Sequence, residues 1–306
     1  MIMIRHLKNR NVIFLLAIGL GLIVPQPAVW TKLMMLPALA MIMTLATMNV
    51  PNNYFQNLRA ILMPSLWGIV MTYVILGGVI LAGAALLISD PNIWIGFVLI
   101  AAVPPAVAVI PFTGILDGNV SYTLSGTIAA YLGALIITPL MLAFLIGPGL
   151  GEPYDLLKIL VLLIMLPLIL SRFLLAFKLQ ARIEPVRGLL TDWGFFIVVY
   201  TMIAVNRDLI FAKPLLLAPV ATVVFIATFV LGFVVGKTAA LMGVARKNIV
   251  SLVLLGTLKN QGIAGGLAIV LFAGETALPS AVYSVFMIGY ILWLDWRKKR
   301  EVRCEA

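Results

Sequence analysis

The chain has 306 residues, of which 63% are hydrophobic and 10% charged, and it carries a formal net charge of +10. A soluble domain has about a quarter charged residues, so water is not the solvent for most of this surface. A single cysteine, Cys304, argues against a disulfide framework or a thiolate metal site. The only histidine is His6, no HExxH occurs and no acid pair lies within a span, so the expectation is a non-enzyme with no cofactor and no metal. The basic residues sit in short connections between apolar stretches, which fits a lipid bilayer surface and not nucleic acid.

The N-terminal Arg5 to Arg10 segment followed by an apolar run resembles a secretory signal. No small-x-small cleavage site precedes Trp30, and the run from Val12 to Pro25 is read as a retained first span. Crossing a bilayer takes about 20 apolar residues, and ten such stretches follow one another. Their expected bounds are 12–26, 30–49, 60–88, 93–116, 119–147, 156–178, 189–206, 214–240, 247–273 and 276–295. The connections leave no room for a soluble domain. The expectation is one transmembrane domain over 1–306, with halves at about 12–147 and 156–295 and a cytoplasmic tail at 296–306.

With the N-terminus inside, fifteen lysines and arginines fall on the cytoplasmic side, and Lys32, Lys158, Arg207 and Lys213 fall on the other. Positive loops stay cytoplasmic, so both termini are expected inside, and the clean alternation supports an even number of spans. Arg172 lies close enough to a helix end to snorkel. Trp30, Trp94, Trp293 and Trp296 read as interfacial anchors.

Two segments carry breaks. In the fourth, Pro104, Pro105 and Pro111 fall within eight residues, and each removes a backbone donor. In the ninth, Lys259-Asn260-Gln261 runs into Gly262, Gly265 and Gly266, which tolerate irregular backbone. The breaks are about 155 residues apart in a chain whose half-length is 153. The expected fold is therefore an all-α membrane protein of about ten helices: two five-helix inverted repeats with broken helices 4 and 9 crossing at a midplane site. Half-helix N-termini there suit an anion.

Lys259 falls near the middle of its span, where a charge costs about 2.5–3.5 kcal/mol on insertion scales and usually faces a cavity or partner. Three roles are open to it: an ammonium that ties the broken helices together, a stand-in for a coupling cation, or a titrating group that carries a proton.

These residues resemble the bile acid:sodium symporter family, as a divergent member. The resemblance rests on Pro105 through the Asp117-Gly118-Asn119-Val120 turn to Thr127, and on Lys259-Asn260-Gln261-Gly262-Ile263-Ala264 followed by Ala277-Leu278-Pro279. It implies ten spans with crossing broken helices, and a site drawing on Thr72, Thr113, Asp117, Asn119, Thr123, Thr127, Lys259, Asn260 and Gln261. The match is poor where the family binds sodium. A Ser-Asn pair aligns with Val109 and Ile110, a glutamate with Leu255, a glutamine with Lys259 and another glutamine with Thr72. The expectation is a secondary transporter of a small organic anion working by alternating access, without the family's sodium coupling and with proton coupling open. A cation/proton antiporter of related fold and a non-transporting membrane sensor are the alternatives. The antiporter calls for a mid-membrane carboxylate, whereas every acid is read as lying in a loop, a tail or near a span end.

Overall fold

The computed structural model describes residues 10–48, 58–106, 108–147, 153–212 and 214–305, and all regular structure among them is helical apart from one isolated bridge. The helices are α1 (Arg10–Ile23), α2 (Ala28–Thr47), α3 (Leu58–Ile69), α4 (Gly77–Leu87), α5 (Pro91–Ala102), α6 (Val109–Ile115) and α7 (Val120–Ile146). After them come α8 (Pro153–Ala176), α9 (Gln180–Ala212), α10 (Pro214–Phe225), α11 (Leu231–Leu241), α12 (Arg246–Leu255), α13 (Gln261–Leu271) and α14 (Leu278–Glu305). Wider π-helical turns at Val70–Leu76 and Ile226–Val230 join α3 to α4 and α10 to α11. Six helical stretches among the described residues are long and apolar enough to cross a bilayer, and four apolar helices of 10–17 residues accompany them. Side chains such as Leu15, Leu62, Ile136, Phe144 and Leu215 are more than half exposed, as lipid contact allows in an integral membrane protein.

Two layers form. In one, α9 packs along α1 and α2, and α8 packs along α2. Polar groups from α8 and α9 close the carbonyl ends of this layer. Arg172 donates to the Thr47 carbonyl instead of only snorkelling, Arg207 Nε donates to the Leu22 carbonyl (2.7 Å), and the Tyr200 hydroxyl donates to the Val24 carbonyl (2.6 Å). The last carbonyls of a helix have no partner within it, and these donors supply one.

The second layer comprises α3 to α7 and α10 to α14. Its closest glycine approach to another backbone, among the described residues, is Gly68 of α3 on Gly126 of α7, where a Cβ on Gly68 would stand 2.2 Å from the Gly126 Cα. Small residues permit such approach between membrane helices. Because the obstacle is backbone, Gly68→Ala is expected to destabilise the fold by about 1–3 kcal/mol or more and to lower the yield of monodisperse protein. Gly78→Ala, with nothing within 4 Å, is the matched control that should leave both unchanged.

Several bounds differ from the sequence reading. The seventh span was expected at 189–206, but α9 begins at Gln180. Hydropathy marks the bilayer, not the helix, and Glu184 and Arg187 continue the helix outside it as an i,i+3 ion pair (2.9 Å). Likewise α14 runs to Glu305 through the expected tail, with Lys299 bonded to Asp295 one turn back.

The breaks also moved. In the fourth segment the helix is open from Val103, and Pro111 lies in the first turn of α6, where a missing N–H is no loss. In the ninth, the open stretch is Gly256 to Asn260, and Gly262 and Gly265 are helical. Asn260 caps α13, its Oδ1 accepting from the Ile263 N–H (3.1 Å), so the polar triplet restarts the helix before the glycines are reached. Gly262 instead lets α13 approach Leu39 of α2.

Candidate functional site

The two open stretches cross. The Asn260 N–H donates to the Pro104 carbonyl (3.0 Å) and the Ala106 N–H to the Leu258 carbonyl (3.1 Å), a one-residue antiparallel bridge centred on Pro105 and Lys259. Pro104 and Pro105 have no N–H to satisfy, so this strand-like contact needs partners only for their carbonyls. Pro104 finds Asn260, and the Pro105 carbonyl accepts from the Tyr131 hydroxyl of α7 (2.9 Å). That hydroxyl in turn accepts from Asn260 Nδ2 (2.8 Å), so one tyrosine joins both breaks.

Lys259 is fully buried. Its ammonium donates to the Ala101 carbonyl (2.7 Å) and the Val103 carbonyl (2.9 Å) and lies 4.7 Å from the centre of the Tyr73 ring. The Ala102 carbonyl between them accepts from Thr138 (2.6 Å). Every carbonyl from Ala101 to Pro105 therefore has a partner, and the negative end of the α5 dipole meets a positive charge. Among the described residues no carboxylate forms an ion pair with Lys259, so backbone and ring are its counter-charge.

The end of α12 is closed by neutral groups. Thr257 Oγ1 donates to the Val253 carbonyl (2.6 Å), Thr72 Oγ1 to the Leu255 carbonyl (3.4 Å), and the Tyr283 hydroxyl of α14 to the Thr257 carbonyl (2.6 Å). Thr72 reaches its acceptor from the π-helical turns of Val70–Leu76, a widening often found at functional positions.

Of the residues singled out from sequence, Lys259, Asn260, Thr72, Pro104 and Pro105 meet at the crossing, and Gln261 adjoins it with both side-chain polar atoms buried and unpaired. Thr113 donates to Thr123 between α6 and α7 (2.9 Å), and the nearby Thr127 hydroxyl is buried without a partner. Asp117 and Asn119 lie elsewhere, at the α6–α7 turn. Asp117, in the left-handed region (φ 56°), pairs with Lys298 of α14. Asn119 caps α7 and ties it to α12 through Asn248 (2.8 Å).

Sequence reading missed Tyr73, Tyr131, Thr138 and Tyr283. The available signal was a tyrosine inside an apolar span, whose hydroxyl must find an acceptor when buried. It also placed Asp192 near a span end. The longer α9 puts that residue twelve positions into the helix, 7% exposed, and about 9 Å along the axis from Val198, which packs near Gly262.

A cavity of about 350 Å³ opens where the layers meet. Phe14 of α1, Leu45 of α2, Thr191 and Phe195 of α9, and Met287 and Ile291 of α14 line it, with the Glu184–Arg187 pair at one end. Its wall includes Ala108, Ile110 and Pro111 at the start of α6, so it reaches the first break. A largely apolar wall with few polar groups is the usual lining of a small-molecule site.

Residues 36–213, more than half of the chain, match the model of the sodium bile acid symporter family. A curated relative, the "Uncharacterized sodium-dependent transporter YocS" of Bacillus subtilis (strain 168), is 25% identical over 237 residues, covering 76% of this chain and 73% of the relative. The chain belongs to the sodium bile acid symporter family, a family of membrane transporters.

Proposed function

We propose that this protein is a secondary active transporter of a small organic anion and that the Lys259 ammonium occupies the place a coupling sodium ion would take. One observation carries the reading: Lys259 donates to the Ala101 and Val103 carbonyls at the open end of α5. Unwound carbonyls and half-helix C-termini are what transporters of broken-helix design offer to sodium. Here an ammonium from the chain itself fills that role, and Val109, Ile110 and Leu255 supply no side-chain oxygen to bind a second cation. The relative's name describes it as sodium-dependent, and this chain is proposed to depart from it on that point.

The proposed architecture is ten spans in two five-segment halves of opposite orientation, within a single domain and with both termini cytoplasmic. Six long and four shorter apolar helices support the count. The halves echo each other beyond their breaks. Pro64 and Pro219 each precede a run of π-helical turns, and Tyr131 and Tyr283, 152 positions apart, donate to Pro105 and Thr257, also 152 apart. In this reading the substrate enters the 350 Å³ cavity and its carboxylate is drawn to the half-helix start at α13, beside Asn260 and Gln261. Thr72 seals α12, while Thr113, Thr123 and Thr127 pack the space between α6 and α7. Asp117 and Asn119 hold the α6–α7 turn.

The test is uptake into proteoliposomes of small carboxylates that shift the thermal stability of the detergent-purified protein, driven in turn by an inward sodium gradient and an inward proton gradient. Uptake is expected to be indifferent to sodium. Uptake that rises steeply with the sodium gradient overturns the assignment of Lys259.

A further inference from the structure

Three elements end together beside the α6–α7 turn. The Asn119 N–H of that turn donates to the Lys247 carbonyl (2.9 Å) and its side chain to Asn248, which brings in the α11–α12 connection. Lys298 of α14 donates to the Ile115 carbonyl (2.7 Å) and pairs with Asp117. Lys237, one turn from the end of α11, Lys247 and the Arg297–Arg300 run therefore gather at one end of the layer. Asp117 and Asp295, the acids described there, are taken by Lys298 and Lys299. Positive charge is left over on Lys237 and Arg300, both exposed and in no ion pair among the described residues.

Aromatic rings interleave with these bases at a fixed spacing. Trp293, Trp296, Arg297 and Arg300 follow at i, i+3, i+4 and i+7, one stripe of α14, and Phe233 and Lys237 are one turn apart on α11. Each base lies over the ring one turn before it: Lys237 over Phe233 (5.8 Å), Arg297 over Trp293 (5.3 Å) and Arg300 over Trp296 (5.6 Å). The two stripes start from a contact. Phe229 packs on Tyr290 (5.0 Å) and Trp293 (5.6 Å), and a Cβ on Gly232 would stand 1.9 Å from the Tyr290 hydroxyl oxygen. Beyond Gly232, α11 packs on α12 instead, and Phe233 and Trp296 are more than half exposed. An anchoring belt needs only the rings, and a positive surface only the bases. Here each base is steadied on a ring, and the acids in reach are held by other lysines.

We infer that Lys237 and Arg300 form a headgroup site for one acidic phospholipid, its phosphate between the ammonium and the guanidinium and its acyl chains against Phe233 and Trp296. A phosphate oxygen takes charge-assisted hydrogen bonds from both groups. The rings select a lipid, because a nucleic acid or an acidic peptide would leave them without an apolar partner. In the proposed orientation this end faces the cytoplasm, where the leaflet carries anionic lipid. The bound lipid joins the end of α11 to α14, and α14 holds the end of α6 through Lys298, so occupancy stiffens the layer that carries the breaks. The inference depends neither on Lys259 nor on the substrate.

The test uses the full chain, purified in neutral detergent and stripped of lipid, with phosphatidylglycerol, phosphatidylcholine or inorganic phosphate added. It reads the thermal midpoint and, by native mass spectrometry, the lipid retained per chain. Phosphatidylglycerol should raise the midpoint saturably with one lipid retained, and the other two should do neither. Lys237→Gln combined with Arg300→Gln should weaken the phosphatidylglycerol response about tenfold or more. Lys178→Gln combined with Arg182→Gln, two exposed bases around the α8–α9 turn, should leave it unchanged. If the Lys237 and Arg300 pair does not accumulate, each single variant is read in its place, with an expected weakening of about fivefold. Equal weakening by the two pairs would mean general attraction to a charged micelle, and it overturns the site. A midpoint raised by inorganic phosphate alone overturns the lipid as occupant. A phosphatidylglycerol response that neither Lys237→Gln nor Arg300→Gln weakens overturns the inference altogether.

Discussion

Lys259→Ala is expected to abolish most transport in sodium-free buffer, by about tenfold or more, and to cost more stability than any other single substitution at the crossing. The ammonium makes two charge-assisted hydrogen bonds, to Ala101 and Val103, inside a fully buried site. Hydrogen bonds to charged groups contribute about 1.5–3 kcal/mol each, and their loss leaves two carbonyls unpaired where no bulk water replaces the donor. It also removes the cation above the Tyr73 ring. What remains is a void edged by carbonyl oxygens at the negative end of α5, which is a site for a small monovalent cation. Millimolar sodium should therefore restore part of the lost stability and transport in Lys259→Ala. Lys259→Arg is not a conservative substitute, because a planar fork does not fit the enclosed space of a point charge. Thermal unfolding in detergent and counterflow in proteoliposomes read both effects.

The second large effect is expected at Tyr131. Its hydroxyl donates to Pro105 in one break and accepts from Asn260 in the other, so Tyr131→Phe strands a group on each side of the crossing. Two unpaired buried groups amount to about 2–6 kcal/mol. Tyr283→Phe removes only the bond to the Thr257 carbonyl and should cost about half as much. Asn260 has a further role as the cap of α13, so loosening its amide should also disturb the start of that half-helix. Thermal midpoints of the two phenylalanine variants, compared with the parent, rank the effects. Midpoints equal to the parent's would mean that the hydroxyls do not hold the breaks.

The membrane class and the two interruptions were legible because they rest on composition and on proline chemistry that no tertiary context reverses. The location of the second break was less so. Lys259-Asn260-Gln261-Gly262 reads as an irregular polar stretch, yet Asn260 is a cap, and a cap begins a helix. Gly262 and Gly265 therefore serve close packing, against Leu39 and Met202, and not irregular backbone. That depends on what lies opposite, which a single chain read linearly does not disclose. The helix ends of α9 and α14 were not legible from the spans for a simpler reason: a helix does not stop where the bilayer does.

Within the site, Lys259 stood out because a lone cation in an apolar run is conspicuous. Its partners did not, since Ala101 and Val103 offer backbone carbonyls, and any residue carries those. Tyr131 and Thr138 likewise act on backbone atoms some 26 and 36 residues away. A polar centre built from carbonyls is nearly invisible in sequence, whereas one built from carboxylates would have been obvious. The same reasoning accounts for Asp117 and Asn119. Polar residues at a turn between broken segments looked like site residues, but their partners are Lys298 and Asn248.

The most direct measurement is a sodium titration of thermal stability, at constant ionic strength with choline as the replacement cation, for the parent and for Lys259→Ala side by side. A ligand that binds only the folded state raises the midpoint with its concentration. The parent should show no more stabilisation by sodium than by choline, and Lys259→Ala should show a saturable sodium-specific rise. A saturable, sodium-specific rise in the parent would contradict the claim that Lys259 holds the cation's place.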